Sequence, residues 1–198
     1  MDKVTVRIVK VAAEDLEKLR SLPALTAEDI MAADRYERAQ DKALHLVSAY
    51  LKRRYVGAWR LSDTGKPIAD GVFFSVSHTD GSVAFVTADR AIGIDLERVR
   101  ETDREMRDYV LSPEERGMVS TDEDFFRLWT AKESLVKAHG AGFDREPIEV
   151  PASVTDGVRR YDDKVFYSRS ATIDDAVLSV TMLGDAPFDL AIEKENLL

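Results

Sequence analysis

Apolar and polar residues alternate with a period of two over residues 4–9, the signature of a strand with one buried face. Residues 72–78 are strand-like and 82–87 return as their partner, with Asp80-Gly81 as a hairpin turn between them, and the period of two is seen again over 91–97. Three consecutive antiparallel strands are the simplest outcome of that run. Helical spacing governs other stretches. Leu16 and Leu19 mark a short helix over 12–20, and Ala43, Leu46, Val47, Tyr50 and Leu51 predict a longer one ending near Tyr55. Thr26 with Asp29 three residues on reads as a capping box, as does Ser112 with Pro113 and Glu115. Between them the stretch 101–111 is predicted helical. Thr121 opens a further helix, in which Leu128, Ala131, Leu135 and Ala138 form the buried stripe and Gly140-Ala141-Gly142 the stop. Short strands follow over 158–161, 165–169, 176–182 and 188–192. The stretch 61–71, with Ser62, Asp63, Thr64, Gly65, Lys66 and Pro67, is a loop by composition. Strand, helix and sheet recur in each half, which permits a duplicated architecture.

Candidate chemistry gathers between Ala91 and Gly142. In the strand 91–97, Ile92, Ile94 and Leu96 share one face, so Asp95 and Glu97 point together from the other. On the later helix Trp129, Glu133 and Lys137 are four residues apart and lie on one face, with Trp129 read as core. If the strand end meets this helix, Asp95, Glu97 and Glu133 converge on an all-oxygen site suited to a hard cation such as Mg²⁺. Lys137 then faces an anion held by the metal. The plainer alternatives are an exposed strand face and an ordinary i,i+4 ion pair between Glu133 and Lys137. The cluster Lys52-Arg53-Arg54 reads as a solvated helix end.

Composition narrows the choice. Hydrophobic residues make up 44% of 198, enough for a substantial core. Without cysteine, thiolate catalysis and disulfides are excluded. Three histidines, His45, His78 and His139, do not suggest a histidine-rich metal centre; His45 and His139 read as structural. The formal charge of −9 argues against nucleic acid as a partner. The amino terminus, residues 1–8, is a charged alternating strand rather than a signal peptide, so a cytoplasmic protein with no membrane partner is expected. Gly65-Lys66 lacks the spacing of a Walker A loop.

Four motifs in order, Gly65-Lys66-Pro67, Val76-Ser77-His78-Thr79, Gly93-Ile94-Asp95-Leu96-Glu97 and Trp129-Thr130-Ala131-Lys132-Glu133-Ser134-Leu135-Val136-Lys137, resemble the 4′-phosphopantetheinyl transferase superfamily. The likeness is to its larger, surfactin-synthetase-activating type, with holo-acyl-carrier-protein synthase activity. It implies an α+β fold of two similar halves, 1–98 and 99–198, related by a pseudo-twofold, with antiparallel sheets and a long helix in each. It also implies a monomer that moves 4′-phosphopantetheine from coenzyme A to a serine of an acyl or peptidyl carrier protein, releasing adenosine 3′,5′-bisphosphate. Metal ligands would be Asp95, Glu97 and Glu133. Coenzyme A would be met by Lys42, Gly65, Lys66, Pro67, Ser77, His78, Thr79 and Lys137. Glu133 is the expected proton acceptor, with Glu114 second. Of the basic residues in the first helical region, Arg35, Arg38 and Lys42 are present, while Leu44 and His45 stand where a basic and a small hydroxyl residue are more usual. The carrier is expected over 100–118. The rival functions are a metal-dependent nucleotide phosphotransferase or hydrolase, and a non-catalytic coenzyme A-binding relative.

Overall fold

The computed structural model describes residues 2–63, 65–142 and 145–198. Met1 and Thr64, included above in the terminal strand and the loop, lie outside them. Strand β1 (Asp2–Lys10) is followed by a 3-10 turn (Ala13–Asp15) and three helices, α1 (Leu16–Arg20), α2 (Ala27–Ala33) and α3 (Ala39–Tyr55). The expected helix over 12–20 is therefore a turn joined to a short helix. Two-residue strands β2 (Arg60–Leu61) and β3 (Pro67–Ile68) pair with each other, so part of the stretch expected as loop over 61–71 is strand, Pro67 included. The hairpin β4 (Phe73–Thr79) and β5 (Ser82–Ala88) precedes β6 (Ile92–Arg98), and the helices α4 (Arg104–Val110), α5 (Pro113–Arg116) and α6 (Asp122–His139) come next. Asp103 caps α4 by accepting the Met106 N–H, which moves its start inside the expected stretch. A 3-10 turn (Pro147–Glu149) leads to β7 (Gly157–Tyr161), β8 (Lys164–Ile173), β9 (Ala176–Leu183) and β10 (Phe188–Glu195).

The strands form two four-stranded sheets, in the orders β10-β1-β5-β4 and β6-β9-β8-β7. All neighbours are antiparallel except β1 and β10, which run parallel. One expectation is corrected here: β4, β5 and β6 are not a three-stranded meander, because β6 leaves the hairpin and pairs with β9. The reason is burial on both faces of β6. Ile92, Ile94 and Leu96 join Val4, Val6, Ile8, Ala84, Val86, Leu178 and Val180 in one core between the sheets. A second core sets α3 against the outer side of the first sheet through Leu46, Val47, Leu51, Phe74, Val83 and Phe85. Helix α6 covers the outer side of the second sheet. The architecture is α/β/β/α, an α+β fold of antiparallel sheets each covered by one long helix, and the inner core is common to both sheets.

At the seam, the edge strands β4 and β6 meet through side chains rather than a backbone ladder. Ser75 Oγ accepts the Ile94 N–H at 3.1 Å, Ser77 Oγ that of Leu96 at 3.2 Å, and Thr79 Oγ1 that of Arg98 at 3.2 Å. The offset is nineteen residues each time, so the two strands run in the same direction. Three hydroxyls thus satisfy backbone donors that would otherwise be unpaired on an edge.

Helix α6 is capped at both ends. Thr121 and Asp124 exchange hydrogen bonds at its start, and Gly140, at φ 91°, ends it in the left-handed conformation. It lies against β6 at Gly93, where an added Cβ would come within 2.0 Å of the Ser134 carbonyl oxygen and 2.4 Å of the Ala138 nitrogen. Gly93→Ala is expected to lift the helix and cost about 1–3 kcal/mol in urea unfolding; wild-type stability in that variant would show that the helix can yield.

The cluster Lys52-Arg53-Arg54 is not the solvated face expected. Lys52 is buried, with its ammonium 4.0 Å above the Trp59 ring, and Arg53 grips the buried Asp29 at 3.1 and 3.2 Å. Only Arg54 is exposed. Asp29 also completes the cap of α2, so one carboxylate joins α2 to α3.

Candidate active site

The seam brings the motif residues to one place. Asp95 is buried, and its Oδ1 accepts from Lys137 Nζ at 2.6 Å and from Ser77 Oγ at 2.8 Å; the Lys137 ammonium also lies 3.4 Å from that hydroxyl. Lys137 therefore pairs across to the strand rather than back to Glu133 on its own helix. The other Asp95 oxygen, Oδ2, is buried and unpartnered. An ionised oxygen without a donor in such a position fits a cation.

Glu133 is half-buried one turn before Lys137. Burial pushes its carboxyl up to about 7, and the charge of Asp95 adds to this; Lys137 opposes it and Glu97 contributes a smaller further rise. A carboxyl poised near neutrality can give or take a proton at working pH. Glu97 sits at the strand's end with Oε2 3.1 Å from Arg100. Among the described residues, no three carboxylate or imidazole groups stand close enough together to coordinate one ion as they are placed. The donor set, an orphaned Asp95 oxygen with Glu133 and Glu97 felt through their charges, nevertheless matches a hard divalent cation in chemistry.

A cavity of about 280 Å³ opens beside this cluster, lined by Gly65, Lys66, Pro67, Phe74, Ser75, Val76, Glu133, Val136, Lys137, Gly140 and Gly142. Lys66 donates from Nζ to the Lys137 carbonyl oxygen, in the last turn of α6, where such carbonyls lack helical partners. Burial, then the nearby charge of Lys164, lowers its pKa from the ordinary lysine range. His78 lies on the opposite side of β4 from Ser77 and presents an exposed edge. Crowding by protein, then the charge of Lys137, holds its imidazole below the usual range. Thr79 belongs to the seam. Lys42 is directed to Asp34 at 3.8 Å and makes no contact with the cluster. Glu114 is exposed.

Trp129 is half-buried against a third core and also borders a groove with Tyr109, Glu133, Arg145 and Pro147. His139 stands 3.3 Å from Asp162 and edge-on to Tyr161.

The sequence reading missed Lys132 and Glu115. Lys132 is fully buried beside Glu133 and donates to Glu115 Oε2 at 2.7 Å and to the Pro147 carbonyl at 2.9 Å. Burial lowers the lysine's pKa, and the Glu115 carboxylate opposes that shift. The signal was present in the helical spacing, because Leu128, Lys132 and Leu135 fall on one stripe. A lysine in a buried stripe calls for an acidic partner.

Comparison with known proteins follows the same stretch. Residues 91–180 match the family model of the 4′-phosphopantetheinyl transferase superfamily. The 4′-phosphopantetheinyl transferase gsp of Aneurinibacillus migulanus is 30% identical over 135 residues, 60% of this chain and 57% of that protein. The 4′-phosphopantetheinyl transferase HetI of Nostoc sp. is 33% identical over 108 residues, 46% of each chain. The crystal structure of Thermotoga maritima holo-acyl-carrier-protein synthase matches with a TM-score of 0.35 at 14% identity, over 48% of this chain and 64% of that one, too distant a likeness to argue from. The chain thus spans about half the length of the curated relatives named here. The resemblance to the 4′-phosphopantetheinyl transferase superfamily holds, and the matched stretch includes β6 and α6, which carry Asp95, Glu133 and Lys137, while β4 with Ser77 lies outside it.

Proposed function

We propose that this chain transfers 4′-phosphopantetheine from coenzyme A to a serine hydroxyl of an acyl or peptidyl carrier protein and releases adenosine 3′,5′-bisphosphate. The observation that carries the reading is Glu133, a carboxyl near pH 7 that lines a cleft together with Lys137, whose ammonium is held from behind by the buried Asp95. Phosphoryl transfer asks for a proton acceptor and for fixed positive charge, and both stand there. Glu133 takes the serine proton. Lys137, charged and held by Asp95, stabilises the negative charge that grows on the phosphoryl oxygens. Ser77 orients Asp95, and Gly65, Lys66 and Pro67 border the space for the nucleotide end, with His78, Thr79 and Lys42 as outer contacts. Asp95, Glu97 and Glu133 would hold Mg²⁺, which when bound draws charge from the pyrophosphate and lowers the barrier to its cleavage. That assignment is supported by the orphaned Asp95 oxygen and the repulsion among the three carboxylates.

The carrier is proposed to dock over 100–118, where Tyr109 and Met118 are exposed. No helix among the described residues is long and apolar enough to cross a membrane. We read the protein as a cytoplasmic monomer of two halves, 1–98 and 99–198, without a nucleic-acid partner. The deciding experiment is the intact mass of an apo carrier protein incubated with this protein, coenzyme A and Mg²⁺, with and without chelator. Gain of one phosphopantetheine that the chelator abolishes is the expected result. No gain on fatty-acid, peptide and polyketide carriers overturns the reading.

A further inference from the structure

Helix α6 carries both Glu133 and Lys137, so whatever fixes its position along the second sheet sets their distance from Asp95. The face it turns to that sheet is not purely apolar. Thr130 and Ser134 are completely buried there, opposite Ser179 and Thr181 of β9, which are equally buried, and Ser168 and Ser170 of β8 lie behind. Ser170 Oγ is 2.7 Å from Ser179 Oγ, which is 2.7 Å from Thr130 Oγ1. Ser168 Oγ is 2.8 Å from Thr181 Oγ1, which is 2.7 Å from Ser134 Oγ.

A hydroxyl has one proton to give, and this fixes the direction of both rows. Thr130 donates to the Phe126 carbonyl at 2.8 Å and Ser134 to the Ala131 carbonyl at 3.0 Å, so each can only accept from the strand. Ser179 must then donate to Thr130 and accept from Ser170. Thr181 must donate to Ser134 and accept from Ser168. Two directed chains therefore cross from β8 through β9 onto α6, and each ends on a helix carbonyl. In the sheet, Ser179 is opposite Asp95 and Thr181 is opposite Gly93, the point of closest approach of the helix. Apolar packing alone tolerates sliding of a helix on a sheet. Hydrogen bonds at two points one turn apart do not.

We propose that Ser179 and Thr181 are positioning residues, which lock α6 along β6 and β9 so that Glu133 and Lys137 meet Asp95 in working geometry; this rests on the phosphopantetheinyl transfer reading above. The test uses Thr181→Val, which keeps shape and removes the donor, Ser179→Ala, and Thr181→Ser, which restores it. For the first two, kcat for carrier modification is expected to fall roughly ten- to a hundredfold, the scale of a small misplacement of reacting groups. KM for coenzyme A should stay near that of wild type, and Thr181→Ser should recover kcat. Unchanged kcat in Thr181→Val and Ser179→Ala, or a kcat that falls only in step with the folded fraction, overturns the proposal. A wild type that modifies no carrier would refute the transfer reading instead. In that event the rise in melting temperature on adding Mg²⁺ decides: loss of that rise in Thr181→Val with the folded state intact supports the positioning role, and an equal rise in both proteins overturns it.

Discussion

Glu133→Gln is expected to leave the fold intact and to slow transfer by about 10²–10⁴-fold, the usual worth of a positioned general base. The substitution keeps the side chain's size and removes both its proton affinity and its charge. Stability should respond in the opposite sense. The carboxyl's pKa is raised in the folded protein to about 7, above the ordinary value of 4.5. Its contribution is therefore fully present below pH 4.5 and is lost as pH rises through 7. The full shift corresponds to at most about 3 kcal/mol, reduced by the solvent that reaches a half-buried side chain. In metal-free buffer at pH 8 the glutamine variant should melt higher than wild type, and the difference should vanish near pH 4. Added Mg²⁺ should stabilise wild type and leave the variant unmoved. A variant with normal turnover, or one whose melting temperature follows the wild-type pH curve, would remove Glu133 from the site.

Lys132→Met is the second large effect. The ammonium is completely buried, and its loss leaves the buried Glu115 carboxylate with only the Ser112 N–H as a partner among the described residues. Breaking one side of a buried pair costs about 3–5 kcal/mol, whereas removing both charges can be nearly neutral. Urea unfolding should show a large loss for Lys132→Met and recovery of most of it when Glu115→Leu is added. A loss below about 1 kcal/mol would mean the pair behaves as a surface bridge. The lysine also holds the Pro147 carbonyl, so the single variant should speed amide exchange in the turn at Pro147–Glu149.

Periodicity and caps carried much of the fold. The capping boxes at Thr26, Ser112 and Thr121 and the glycine stop at Gly140 are local in origin, and each is where the residues placed it. Sheet membership was not local. Nothing in 92–98 distinguishes a third hairpin strand from one that crosses to another sheet, because both leave Ile92, Ile94 and Leu96 buried; the partner on the far side, β9, lies some eighty residues on. In the site, spacing brought Asp95, Glu133 and Lys137 into view; the structure joins Asp95 to Lys137 and Ser77 by hydrogen bonds and sets Glu133 and Lys137 on the wall of one cleft. Spacing could not tell that Lys137 turns to Asp95 rather than Glu133, since an i,i+4 neighbour is always a candidate and a cross-element partner never shows in sequence. The basic run at the end of α3 misled for a related reason: Lys52 and Arg53 find Trp59 and Asp29, residues that the helix pattern does not include.

The exchange of strands between the sheets bears on how the chain reaches its shape. Asp2 is opposite Phe188 in the β1–β10 ladder, a contact between strands far apart in the sequence, and β6 waits for β9. Such closures form late, because a long loop loses much freedom before any pairing repays it. On the ribosome, β1 and the β4–β5 hairpin emerge as a sheet with an open edge, and β6 emerges without its ladder partner, able to reach only the hydroxyls of β4. Until residues 188–195 leave the exit tunnel, the nascent chain displays an unpaired edge strand to every neighbouring polysome. Slow translation of β9 and β10 would lengthen that exposure, and a chaperone that covers β1 should raise the yield of native protein more than one acting after β10 has paired.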